Sequence, residues 1–141
     1  MADAFYAEYR NGMLGGGVHA QPNLATDDIR VALRDEGTVA LNLATNIDLD
    51  DVSTAHVATS AAFASATVGT VAAGAFDHED ITFASVSGAS VESLDYYNYE
   101  TAVDTTSPMI CNIDSSTGLP VTPNGGDITW TLAAGGVFQI T

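Results

Sequence analysis

The chain has 141 residues, enough for one domain whose core hides about two-thirds of the unfolded surface. Eighteen Asp and Glu face three Arg (Arg10, Arg30, Arg34) and no Lys, for a formal net charge of -15. That balance argues against a direct nucleic-acid partner, since gripping phosphates takes clustered Lys or Arg. It also points to a salty medium, because about 1 M salt shortens the screening length to about 3 Å and removes most of the self-repulsion.

An apolar content of 46% argues against disorder. The start Met1-Ala2-Asp3-Ala4-Phe5 lacks the basic, then apolar, pattern of a secretion signal, and no run approaches a membrane span. The expectation is a product made in the cytoplasm and either retained there as a soluble protein or assembled there, with no membrane partner.

Taken in chain order, Asp3 is placed to cap a helix from Ala4, with Phe5, Tyr9 and Met13 on one stripe. Gly15-Gly16-Gly17 ends it and supplies a hinge, so residues 1–17 read as a helix or arm that packs on its own core or on a neighbouring subunit. Residues 18–141 read as a β-domain. Alternating runs begin at Ile29 to Leu33, with Arg30 on the face opposite Ile29, Val31 and Leu33, and recur at Thr38 to Leu43, His56 to Phe63 and Thr67 to Ala72. Further runs lie at Asp80 to Val86, Val91 to Tyr97, Pro108 to Ile113, Asp127 to Leu132 and Val137 to Ile140. Glycine- and proline-rich turns separate them. The fold class is therefore all-β: a β-sandwich or jelly-roll-like barrel of about eight or nine short strands with a short N-terminal helix. Trp130, flanked by Ile128 and Leu132 at period two, is the expected core anchor.

Several segments carry residue types capable of chemistry. Asn46, Asp48 and Asp50 place oxygens at alternate positions, as the start of a calcium loop would. Asp51 stands where an EF-hand needs glycine and Val57 where it needs the closing glutamate, so that motif is excluded. A solvated acidic loop is the simpler reading, with a structural cation as the alternative and no cofactor otherwise. Asp77-His78-Glu79-Asp80 joins a histidine to three carboxylates, but adjacent strand residues face opposite ways, so a solvated hairpin tip is expected over a zinc or acid–base site.

Tyr96, Tyr97 and Tyr99 form the dense aromatic cluster, and alternation turns Tyr96 away from the other two, leaving one face exposed or shared; edge-of-core packing is the simpler reading, ahead of a subunit interface or a stacking platform for a sugar or nucleotide. With Phe5, Tyr9 and Met13 they are the interface candidates. Cys111, alone and at an alternating position, reads as a small core hydrophobe. No nucleophile elbow, phosphate loop or dinucleotide fingerprint is present, so no catalytic residue is assigned.

The block Thr106-Ser107-Pro108-Met109-Ile110-Cys111-Asn112-Ile113-Asp114, followed by Gly118-Leu119-Pro120 and Asn124-Gly125-Gly126-Asp127-Ile128, resembles small structural proteins encoded beside the head genes of tailed viruses. Ala4-Phe5-Tyr6, Ile29 to Leu33, Asn42 to Thr45, Val57 to Ser60 and Asp80 to Phe83 extend the resemblance over most of the length. It implies a non-enzymatic virion component, a capsid decoration or turret protein on the outer surface of the head. Its partners would be the major capsid protein or other virion proteins and further copies of itself, in a trimer or pentamer. Relatives carry lysine in the first helix and near the C-terminus, where this chain has none; the departure fits a virus of a halophilic archaeon. A tail, neck or spike component is the nearest alternative, and a calcium- or glycan-binding surface module the next.

Overall fold

The computed structural model describes residues 3–100 and 104–140. The first two residues of the expected arm, and residues 101–103 and 141 of the expected β-domain, lie outside the described residues.

Among the described residues, alternation in the sequence is realised as ten short strands. They are β1 (Ala4–Phe5), β2 (Ile29–Arg34), β3 (His56–Thr59), β4 (Thr67–Val68), β5 (Ala75–Asp77), β6 (Ile81–Phe83), β7 (Ser93–Asn98), β8 (Met109–Ile113), β9 (Ile128–Trp130) and β10 (Phe138–Gln139). One α-helix, α1 (Ala7–Met13), follows β1. The fold is all-β, with every strand pair antiparallel. A five-stranded sheet runs β1-β8-β7-β2-β3, beside a three-stranded sheet β10-β5-β4 and a two-stranded ribbon β6-β9. Among the described residues no helix is long and apolar enough to cross a membrane.

The large sheet is buried on both faces, which period-two alternation does not announce. Its front face presents Ile29, Val31, Leu33, Leu94, Tyr96, Cys111 and Ile113 to a core completed by Phe76, Phe83 and Val86. Half-buried Ile128, Trp130 and Phe138 from the smaller sheets pack against the same cluster. Its back face carries a second cluster of Tyr6, Ala32, Leu49, Val52, Tyr97 and Met109. Residues 35–55 cover that back face.

That cover is where the expected strand at Thr38 to Leu43 fails. Leu41 and Leu43 pack on the back cluster, but local side-chain bonds compete with strand pairing. Asp35 accepts from Gly37 N–H and the Thr38 hydroxyl, and Asn42 Oδ1 accepts from Ala44 N–H. Two 3₁₀ turns, Leu49–Asp51 and Ser53–Ala55, complete the segment.

The helix begins three residues later than Asp3 predicts. Asp3 instead accepts from Asp114 N–H, Ser115 N–H and the Ser115 hydroxyl. Ala4 and Phe5 extend alongside Asn112 and Cys111 as the edge of the sheet, and Tyr6 N-caps α1 with no side-chain cap. The glycine run is tied down as well. Glu8 accepts from Val18 N–H and from His19 N–H at 3.0 Å, and a Cβ on Gly17 would meet Glu8 Oε1 at 2.8 Å.

Two glycines gate the pairing of β5 with β10. Gly74 (φ +73) and Gly136 (φ +81) hold left-handed conformations, and a Cβ would lie 2.3 Å from the Ile140 carbonyl and 2.5 Å from the Phe76 carbonyl respectively. Gly74→Ala or Gly136→Ala is expected to cost about 1–3 kcal/mol and to lift β10 from β5. Chemical denaturation checks the loss. Hydrogen exchange should show Val137 and Ile140 amides, which bond to Phe76 and Gly74 carbonyls, losing protection while β2 and β7 keep theirs.

Candidate functional site

The densest polar constellation is buried in the back face and centred on Asp95. Antiparallel register sets Asp95 opposite Ala32 on one side and Asn112 on the other. One carboxylate oxygen accepts from the Tyr6 hydroxyl at 2.6 Å and from Asn112 Nδ2 at 2.9 Å. The other accepts from Arg34 Nη1 at 2.7 Å and lies 3.0 Å from His56 Nε2, which must donate to an ionised carboxylate. Arg34 and Asp95 are both fully buried, and Arg34 Nη2 goes on to the Val39 carbonyl at 2.8 Å. Asn112 also donates to the Ser93 hydroxyl.

Burial alone would raise the Asp95 carboxyl, but the His56 hydrogen bond and the Arg34 charge hold it below its ordinary value. With four donors on two oxygens, Asp95 has no lone pair left for a substrate proton. Tyr6 is likewise locked, its hydroxyl pushed far up by burial and by the neighbouring carboxylate.

A second constellation faces the front core. His78 Nδ1 lies 2.6 Å from its neighbour Glu79's carbonyl and so carries the proton, leaving Nε2 to accept from the Tyr96 hydroxyl at 2.9 Å. Trp130 Nε1 donates to the same hydroxyl at 3.0 Å. The imidazole stacks on Phe63 with centroids 3.8 Å apart. Burial pushes the His78 pKa down, against the pull of Glu79, Asp77 and Asp80.

The solvated hairpin tip expected at Asp77 to Asp80 is therefore corrected: His78 is a buried core histidine. Glu79 turns the other way, accepting from Ala64 N–H, Ser65 N–H and the Ser65 hydroxyl. Partial burial works against its charge, but those bonds hold it at about 2. His78 and Glu79 thus do not converge on a common site.

The acidic-loop candidates also separate. Asn46 Oδ1 accepts from Asn42 N–H, and Asp48 Oδ1 lies 2.7 Å from His19 Nε2. Burial raises the Asp48 pKa; His19 opposes the rise and Asp50, Asp51 and Glu8 add to it. Asp51 caps the 3₁₀ turn by accepting from Ile47 and Asp48 N–H groups. Among the described residues, no three or more His, Cys, Asp or Glu side chains gather as a metal site would need.

The interface candidates are mostly consumed within the chain. Tyr9, Tyr96 and Tyr97 are buried, and Phe5 stacks on Tyr9 and meets Phe138 edge-on at 4.7 Å. Tyr99 lies under the Arg30 guanidinium at 3.7 Å, and that guanidinium also grips Asp28 through two 2.8 Å bonds. Met13, 42% exposed, is the candidate left open to solvent. The tyrosine face that alternation leaves exposed or shared is packed against the back cluster and covered by residues 35–55. Cys111 lies in the front core with its thiol pushed up by burial, the character of an inert core residue.

Sequence reasoning missed Arg34 and Asp95. Their signal was available: Arg34 shares the parity of Arg30, and Asp95 sits between front-facing Leu94 and Tyr96, so both fall on the back face with opposite charges. What alternation could not reveal is that this face is covered.

No family model matches the chain, and no curated protein is significantly similar to it in sequence.

Arg34→Met is expected to destabilise the fold by about 3–5 kcal/mol, because it leaves Asp95 buried without its guanidinium partner. Arg34→Met combined with Asp95→Leu should cost clearly less than the sum of the two single changes, as read from denaturant midpoints.

Stability should also fall in two stages on acidification. His78 has a folded pKa below 6.5, so between that folded value and 6.5 the unfolded chain binds the extra proton and stability drops as pH falls. Glu79 is depressed from 4.5 to about 2 and Asp95 lies below 3.8, so their contribution is present above those ordinary values and is lost on further acidification. Thermal midpoints measured against pH should show His78→Gln removing the first stage and sparing the second.

Proposed function

We propose that this chain is a non-enzymatic structural subunit of a virion, a capsid decoration or turret protein on the head of a tailed virus with a halophilic host. The observation that carries the reading is how the chemistry-bearing side chains are used. Asp95, His56, Arg34 and Tyr6 are spent on one another inside the sheet, and His78 on Tyr96 and the Glu79 backbone. The outward surface is a cation-poor, strongly acidic β-body.

Such a body suits a particle exposed to brine. The sequence resemblance to head-associated structural proteins supports the same assignment, since it extends over most of the chain. A decoration protein performs no reaction; many weakly held copies reinforce one another on a symmetric shell, and closed trimers or pentamers match the local symmetry of such a shell. Partners in this reading are the major capsid protein and sister copies, with no nucleic acid, membrane or cofactor.

Quantitative mass spectrometry and cryo-electron microscopy of purified particles test the assignment. A copy number in the hundreds with density on the outer head is the expected result. Six-fold rings or a neck-sized copy number would move the protein to the tail or neck, and absence from the particle would overturn the reading. For the purified chain, raising KCl from about 0.1 M to about 1 M, which shortens the screening length from about 10 Å to about 3 Å, should raise the thermal midpoint monotonically.

A further inference from the structure

We propose that the cleft beside Trp130 is a binding site for a neutral saccharide. The cleft, about 580 Å³, lies between residues 129–133 and residues 115–117, the segment that follows β8. A more apolar cleft of about 190 Å³, walled by Leu119, Val121 and Ile128, adjoins it, and the two share Thr117, Thr129 and Trp130. Gly118-Leu119, from the distinctive block of the sequence, forms part of this second wall.

The indole sets the chemistry of the floor. Its N–H is committed inward to the Tyr96 hydroxyl, so the ring offers a ligand only its carbon surface. A pyranose presents an apolar C–H face and a rim of hydroxyls, which match an aromatic floor with polar groups around it. Ser115, Ser116 and Thr117 supply that polar side.

Asp3 holds this wall in place through its bonds to the Asp114 and Ser115 amides and the Ser115 hydroxyl. On the other side, Trp130 is tied to Tyr96 and the Leu132 amide to Asp80, so both walls are held before a ligand arrives, which lowers the ordering cost of binding.

Charge narrows the ligand further. Among the described residues, neither cleft is lined by an Arg or a His, and Asp3 is the one ionisable side chain lining the larger cleft. A phosphate, uronate or sialate would find no counter-charge there, in a chain of net charge -15. A cation would find one carboxylate already occupied. Addition of a peptide strand is less favoured, because β9 spans only Ile128–Trp130 and offers few main-chain bonds.

The site does not rest on the virion assignment and is tested separately. Trp130 is the sole tryptophan of the chain, so its emission reads the cleft directly. The full chain in concentrated KCl is titrated with maltotriose, cellotriose, chitotriose and mannotriose to about 10 mM, a range that captures millimolar binding. A saturable change with at least one of them is expected. It should vanish in Ala133→Phe, and independently in Thr117→Phe, each filling the cleft from one wall with the thermal midpoint retained. Thr117→Val should weaken binding about five-fold. Silence with all four sugars would overturn the proposal, as would a response that persists in both filled variants. A response to a threonine-rich peptide without any sugar response would assign the cleft to strand docking instead. Equal affinity for a glucuronate trimer would refute the neutral class.

Discussion

Asp95 is the interaction on which the rest of the structure depends. It sits on β7, the middle strand of the large sheet, and its donors come from β8 (Asn112), β2 (Arg34), β3 (His56) and the residue that follows β1 (Tyr6). Three strands of the sheet and the residue that follows the fourth thus converge on one carboxylate of the fifth. A slip of one residue in any strand would turn its donor to the other face and leave a buried charge short of a partner, a fault worth several kcal/mol. An apolar back face would tolerate such slips more easily. The cluster is therefore best understood as fixing register rather than adding stability, since an apolar replacement of a buried ion pair is often no less stable.

The same cluster explains which part of the architecture was legible in the sequence. Ile29-Arg30-Val31-Ala32-Leu33 and Ile128-Thr129-Trp130 alternate cleanly, and both are strands, because one side of each meets a core that the pattern itself encodes. Thr38 to Leu43 alternates equally well and is not a strand. Its leucines are recruited to cap the back of the sheet, while Asp35 and Asn42 close local turns. Alternation records only that a segment has an apolar side; whether that side meets a strand partner or a sheet face is decided by chain segments far away. The brief strands β1 and β5 were missed for a related reason. Two or three residues hold too little pattern, and pairing with Asn112 and Cys111 or with Thr67 and Val68 defines them. The candidate residues divide along the same line. Cys111 was readable as core, whereas Arg34, Asp95 and His78 were not, since a charged or polar side chain reads as solvated until its partners are known.

The few cations are distributed accordingly. Arg34 is sealed inside and Arg30 is occupied by Asp28 and Tyr99, leaving Arg10, on the exposed side of α1, facing outward. Exposed ion pairs contribute little and are screened further by salt, while a pair with no solvent access is screened far less. A chain with three cations gains most structural definition by placing one where salt cannot reach it. In the proposed function, the carboxylates left on the surface would act as a solvating layer in concentrated salt.

Tyr96 links the interior to the outside. It is fully buried, yet its hydroxyl takes the Trp130 N–H and gives its own proton to His78. That chain of bonds fixes the indole of a half-buried tryptophan with its polar edge turned inward, in a residue that lines both clefts. Because β7 carries Asp95 and Tyr96 side by side, a single strand anchors both the register of the sheet on its back face and the floor of the clefts on its front. A register error at Asp95 would therefore displace Tyr96 to the wrong face and release Trp130, so the geometry of the outer cleft is set by the same buried carboxylate that sets the fold.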